Sequence, residues 1–469
     1  LRALTTARRT RRGLLRALCC GALGYGALAI AFCYGALALA LALAMLSSSA
    51  AAQQAHPFLL AEPIEYTDVI DAFDGDDPVD VNVSLSFARS QNNASISREA
   101  SQPGDQVAGR FLPIAESRQI TNALALEVDV GLYKDLMVYA RLPLVLSDTR
   151  RLQLPDAARC ETQSCMDKKA AITDALAQNG EPPLFDVSSG SGFHSATRSG
   201  VPAFDFGVAW GIVNQYRTPY LPTWVVSAET RVGVGKIVSP CADGGGCDTG
   251  INRGTLRFEL ASRWSYRLRY VEPYLGLSYA IERATGAKER FSPHGDQPGY
   301  LDTTPPSVLE TTLGAALIIW EERGRFQRFA VDLRARAAYV SAGRDYSPLY
   351  DALGTSTSPH LHNDYMSPSG AAVGFSGLTN VDAHALLGVE VAAAMQAARY
   401  VRFRLGVAFS HQTQHMLTDA APCPSGAGPS CSTEHINALY RPIIDLPGQR
   451  FLLTSDLTFD LFAHATGQF

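Results

Sequence analysis

The side chains with the most chemistry to offer are charged residues that recur at every second position. Arg334 and Arg336, Arg402 and Arg404, Arg257 and Glu259, and Glu229 and Arg231 are each separated by one residue, and Arg263, Glu310, Asp332, Asp382 and Glu390 continue the polar parity of neighbouring stretches. In an extended chain that spacing places both members of a pair on one face. Fixed charges gathered on one face can select ions and small solutes. Opposite signs on adjacent strands can also pair and stiffen the wall that carries them. The signs here alternate instead of segregating, so pairing is the first expectation and selection a compatible second.

Cysteines and histidines offer less. Cys160 with Cys165, Cys241 with Cys247, and Cys423 with Cys431 each close a small loop rich in Gly, Pro, Ser or Asp, the pattern of local disulfides made in an oxidising compartment. None has the Cys-x2-Cys or Cys/His spacing of a zinc site. His411 is followed by Thr413, but Ser410 has the opposite parity and no base or orienting partner is evident, as a nucleophile would need. His411 and His415 would lie about 13 Å apart on an extended strand, and His360, His362 and Asp364 lack a third fixed ligand. Asp74-Gly75-Asp76-Asp77 lacks the spaced acids of an EF-hand. No phosphate loop or dinucleotide fingerprint occurs. No catalytic residue, metal or cofactor is therefore expected.

The elements that carry these residues are strands. Period-two alternation recurs twelve times, most cleanly at 453–469, where Leu457, Phe459, Leu461 and Phe469 share one parity and Asp456, Thr458 and Asp460 the other. The same reading gives strands at 254–268 and 381–394, and near 79–89, 122–132, 136–146, 203–213, 223–236, 270–283, 308–320, 328–341 and 400–411, with the last drawn at 449–463. Connections alternate in length. Those near 133–135, 214–222, 269, 321–327 and 395–399 are short, and those near 90–121, 147–202, 237–253, 284–307, 342–380 and 412–448 are long. Short turns at one end, long loops at the other and an even strand count are the signature of a transmembrane β-barrel. All six cysteines fall in the long loops. Pro143 and Pro273 run against strand structure, and both are expected near strand ends.

Aromatic residues of the apolar parity form two sets. Trp210, Trp224, Trp264, Tyr266 and Phe329 lie at the short-turn ends, and Phe87, Phe204, Tyr279, Tyr339 and Phe409 at the long-loop ends, with aliphatic residues such as Leu313, Ala315 and Leu317 between. Two such girdles are expected at the two membrane interfaces.

On these features residues 79–469 resemble a 12-stranded, porin-like Gram-negative outer-membrane β-barrel, an all-β antiparallel fold with long extracellular loops and short periplasmic turns. The resemblance implies that the closing strand, with Leu457, Phe459, Leu461 and Phe469, is the signal presented to the barrel assembly machinery. It implies outer-membrane lipid as the surroundings and no one characterised family. Length leaves no room for 22 strands and a plug domain, a large passenger or periplasmic repeat domains.

Residues 1–52 read as a secretory signal peptide: six arginines without an acid, an apolar run from Leu14 to Leu46, and small residues at Ala50-Ala51-Ala52. The whole chain has 469 residues with 45 acidic and 40 basic side chains. Setting the leader's six arginines aside makes the remainder more acidic still, which argues against nucleic acid. Residues 53–78 read as an acidic periplasmic segment with Glu62, Glu65, Asp68 and Asp71, expected to be solvated or to cap the lumen. The function expected is passive passage of small solutes through a charge-lined lumen. The alternatives are a closed barrel serving as a surface or adhesion module and, more remotely, a lipid hydrolase at His411.

Overall fold

A computed structural model describes residues 64–70, 80–99, 111–159, 161–177, 183–187, 192–292, 303–362, 374–423, 437 and 439–469. The leader, the Asp74–Asp77 cluster, Cys160, Cys431 and Asp364 lie outside the described residues.

Alternation of apolar and polar residues lets a strand face lipid on one side and a polar interior on the other, and closure removes the unpaired edges that hydrocarbon does not tolerate. Twelve strands achieve this: β1 (Val81–Glu99), β2 (Phe111–Tyr133), β3 (Leu136–Gln153), β4 (Ala203–Val213), β5 (Thr223–Gly233), β6 (Thr255–Ser265), β7 (Val271–Ala284), β8 (Val308–Glu322), β9 (Gln327–Val340), β10 (His384–Ala398), β11 (Val401–Gln412) and β12 (Phe451–Gln468). Each pairs antiparallel with its neighbours in sequence, and β12 closes on β1 from Asn82 opposite Gln468 to Arg98 opposite Phe451. Reciprocal bonds between the backbones of Val81 and Phe469 seal the seam. The protein is thus an all-β, twelve-stranded antiparallel transmembrane barrel. No helix among the described residues is long and apolar enough to cross a membrane; strands do the crossing.

The outer face is apolar and exposed. Leu85, Leu142, Val208, Leu260, Leu277, Leu333, Val389, Val391, Leu405 and Leu461 all point away from the interior, far more than scattered surface residues would supply.

Three sequence expectations are corrected. The stretch 90–121 is not a long loop: β1 continues to Glu99 and β2 begins at Phe111. Gln91, Asn92 and Asn93 make both faces polar, so the apolar period disappears while the ladder persists, held by Asn92 Nδ2 donating to Asp456 (2.9 Å) and Thr458 (2.8 Å). The closing strand runs to Gln468 instead of 463. Pro143 is not near the end of β3 but in its interior; it lies two residues beyond the last pairing of β3 with β4, Arg141 with Asp205, so its missing donor falls where that ladder stops.

Bulges set what happens above the membrane band. Register slips near Thr454 in β12 and Ile114 in β2, and a one-residue slip exchanges the two faces of a strand. Leu453 and Phe451, whose parity would continue the lipid stripe, are instead buried. With Ile96, Ile114, Leu152, Leu176, Leu353 and Ile444 they form one apolar core shared by strand extensions and long connections. Those connections contain α1 (Gln163–Leu176), α2 (Tyr350–Gly354) and α3 (Pro442–Asp445). The long-loop end of the barrel therefore carries a packed cap.

On the interior face, three glycines lie directly opposite aromatic residues: Gly207 and Tyr139, Gly314 and Tyr274, Gly406 and Phe462. Each ring lies over its glycine so closely that a Cβ there would overlap it. Glycine weakens a strand by itself, and a covering ring restores packing.

Candidate functional site

Strands β8 to β12 bring the candidate charges together near the short-turn end. Arg404 Nη2 donates to Asp332 (2.7 Å) and Glu390 (2.6 Å); Arg334 Nη2 reaches Asp332 at 3.2 Å and its Nη1 reaches Glu390 at 3.6 Å. Arg334 and Glu390 are directly opposite in register. The Tyr274 hydroxyl donates to Asp332 (2.6 Å) and accepts from Arg334 Nε (3.1 Å). Arg402 Nε donates to Gln396 Oε1 at 3.1 Å. Charge-assisted bonds of this kind fix guanidinium orientation.

Across the lumen the pattern is different. Arg231 forms a two-pronged pair with Asp205 (2.7 and 2.9 Å), Arg257 pairs with Glu259 along its own strand (2.7 Å), and Glu229 accepts from the Tyr139 hydroxyl (3.1 Å). Glu229 faces Glu259 and Arg231 faces Arg257 in register. Signs therefore match across that junction and are compensated by diagonal and same-strand partners. Arg336, half-buried, lies opposite Gly388 and Thr312, and Glu310 accepts from the Thr312 hydroxyl.

Asp382 departs from the expectation of a wall residue on β10. It precedes that strand, in the connection from a short strand at Thr379–Val381, and its N–H donates to Met416. The alternation at 381–385 that suggested strand is broken by this connection.

The interior holds a piece of the chain's own N-terminal region. Ile64–Ile70, with a single 3-10 turn over Glu65–Thr67, lies against the wall charges. Ile64 N donates to Glu272 (3.3 Å), Thr67 shares a hydrogen bond with Ser265 (2.7 Å), Glu65 meets His464 (3.2 Å) and Arg404 (3.6 Å), and Asp68 accepts from Arg402 (2.9 Å). Tyr66 packs on Tyr274 with ring centroids 4.5 Å apart, and the guanidiniums of Arg334 and Arg263 sit over it at 5.1 and 5.7 Å. A solvated segment was one expectation for these acids; Glu65 and Asp68 instead cap the lumen from within. Tyr66, Tyr274, Gln396 and His464 were not among the candidate residues. For Tyr274, Gln396 and His464 the only signal was position on the polar parity, which does not separate a contact from a wall filler; Tyr66 lies before the first strand and carried no such signal.

The opposite end is held by a buried ion pair and a buried arginine in the cap. Arg198 grips Asp351 with two bonds (2.5 and 3.0 Å), and Asp351 also accepts from Cys241 N (3.1 Å). Arg98, on β1, donates to Ile443 O (2.6 Å), Gln449 O (3.1 Å) and Ala175 O, joining α1, α3 and the connection that leads into β12. Cys241 and Cys247 form a disulfide, and Cys165 and Cys423 each belong to a separate disulfide.

The aromatic candidates lie on the outer wall. Trp210, Phe87, Phe204, Tyr279, Tyr339 and Phe409 are exposed, and Trp224 stacks on Trp264 at 6.4 Å. Leu457, Phe459, Leu461 and Phe469 are exposed too. His411, on the same face, has its Nδ1 on Asp456 O (2.6 Å), while the Thr413 hydroxyl accepts from Ala385 N (3.0 Å). Both contacts are to backbone atoms of neighbouring strands.

No family model matches the chain, and no curated protein does. Among solved structures it is similar to an outer-membrane channel from Pseudomonas putida F1, with 8% identity over 87% of this chain and 99% of that one at a TM-score of 0.39. It is similar to a FadL homologue from Pseudomonas aeruginosa, with 8% identity over 83% and 90% at a TM-score of 0.29, and to the outer-membrane protease OmpT from Escherichia coli, with 9% identity over 83% and 97% at 0.28. Scores this low specify neither a family nor an activity.

Proposed function

We propose that the protein is a passive channel for small solutes in the outer membrane of a Gram-negative cell, exported by residues 1–52 and inserted by the barrel assembly machinery. The observation that carries this reading is that the barrel interior accommodates a peptide turn among charged and hydrogen-bonding side chains. Eight strands leave an interior just wide enough for their own side chains, whereas a wider barrel encloses additional space. Space that holds Glu65–Thr67 is also wide enough for a small hydrophilic molecule. A charged, oriented lining favours polar solutes over apolar ones, and no energy source is required.

The cap supports a second reading, a closed barrel that presents its loops as a surface module, because Arg198, Asp351 and the apolar core around Leu353 fix those loops in place. Planar-bilayer recording separates the two. Purified protein lacking residues 64–70 is expected to give stable unit currents well above those of the full chain, with ion preference altered by Arg334→Glu. A truncated barrel that inserts and never conducts would leave the surface module.

A further inference from the structure

The N-terminal segment meets the wall in a register that has a simple geometric cause. Glu65 opens a 3-10 turn and Asp68 is its C-cap three residues on, so at a rise of about 2 Å per residue their backbones are about 6 Å apart along the turn. Arg404 and Arg402 are two residues apart on β11, which places them on one face about 7 Å apart. The two spacings match, and each acid meets one guanidinium: Glu65 with Arg404 at 3.6 Å and Asp68 with Arg402 at 2.9 Å.

Wall residues also hold the guanidiniums. Asp332 and Glu390 hold Arg404, and Gln396 holds Arg402, all of them wall residues. Preorganised donors bind without first being ordered, which lowers the entropic cost of association. Beside them the segment leaves a cavity of about 30 Å³ bordered by Glu65, Arg328, Gln396 and Arg404, so the turn nearly fills its seat.

From this we infer that Arg402 and Arg404 form a binding site for short dicarboxylates, and that Glu65 and Asp68 occupy it as an internal substitute for the solute. A five-carbon dicarboxylate such as glutarate spans its two carboxylates over a similar distance. Such a solute competes with the segment, so the molecule that the lumen passes is also the one that frees it. The inference rests on the channel reading for its biological meaning, and the site itself does not.

The test uses glutarate as the probe and two ways of emptying the seat. Glu65→Gln with Asp68→Asn removes the competing charges. Gly276→Val places a side chain where the Tyr66 hydroxyl now lies, displacing the turn with no change of charge. Calorimetry in detergent is expected to show glutarate binding at least tenfold tighter to both variants than to the full unaltered chain. Adding Arg402→Gln to the double variant is expected to weaken binding tenfold or more, with partial recovery in Arg402→Lys. Folding of each variant is checked by β-sheet circular dichroism, and the two emptying variants fail independently if either misfolds. Folded variants that bind glutarate no better than they bind acetate overturn the site. Glutarate binding with silent bilayers overturns the channel and leaves the site standing.

Discussion

His415 shows how much one side chain's surroundings alter its chemistry. It belongs to a short strand, His415–Met416, beyond the membrane band, and its ring stacks on His384 with centroids 3.8 Å apart and planes 10° from parallel. Its Nδ1 is 2.7 Å from Thr413 O, and His384 Nδ1 is 2.9 Å from Asp382 O. Burial lowers the His415 pKa first and the neighbouring imidazole adds to it, against a smaller opposing effect of the Thr413 carbonyl, leaving it at about 4 from an ordinary 6.5. A folded pKa below the unfolded one means that the folded state binds fewer protons, so this contribution is complete above pH 6.5 and is lost as pH falls towards 4. The full loss is about 3 kcal/mol. Protection of the amides of residues 413–417, corrected for the intrinsic pH dependence of exchange, is expected to be lower at pH 5 than at pH 7, and His415→Gln is expected to flatten that dependence. Equal protection at both pH values in the unaltered chain would contradict it.

At the scale of strands, the glycine and ring pairs make a separate claim. Gly314 on β8 sits under Tyr274 of β7, and the same Tyr274 hydroxyl bridges Asp332 and Arg334 on β9. A side chain at 314 must push the ring away, and the ring is tied to the charge cluster. Gly314→Val is therefore expected to destabilise the barrel by about 1–3 kcal/mol, as overpacking of tight interiors does, read as a lower urea midpoint. It is also expected to shift ion preference, which a substitution at an exposed glycine such as Gly324 does not. An unchanged midpoint would mean that the ring is not held as described. The bulges belong to this scale too, because one extra residue near Thr454 turns Leu453 and Phe451 from the lipid stripe into the cap core.

The described residues of 57–469 form a wall with a turn of the N-terminal region inside the short-turn end and a packed cap at the other. The cap depends on closure of β1 against β12, since Arg98 and Phe451 belong to those strands and hold it together. A closed barrel with a continuous apolar exterior requires a lipid-like surround. The purified protein is expected to show mainly β-sheet circular dichroism in detergent and to precipitate when detergent is withdrawn. A monodisperse monomer in plain buffer, or a helical spectrum, would contradict the architecture.

Strand number, faces and the sorting of loops were legible in the sequence because period-two alternation is local: residues 453–469 display it whatever else the chain does. Strand ends were legible only where the lipid boundary and the strand boundary coincide. At Gln91–Asn93 both faces become polar while pairing continues, and the pattern went silent. A segment that caps the lumen was one expectation, but the partners of Glu65 and Asp68 were not legible. Asp68 and Arg402 are 334 residues apart and meet only because twelve strands close on themselves. Composition gave both residues their charge, and tertiary structure chose their partners, since an ion pair is decided by distance in space and alternation by distance along the chain.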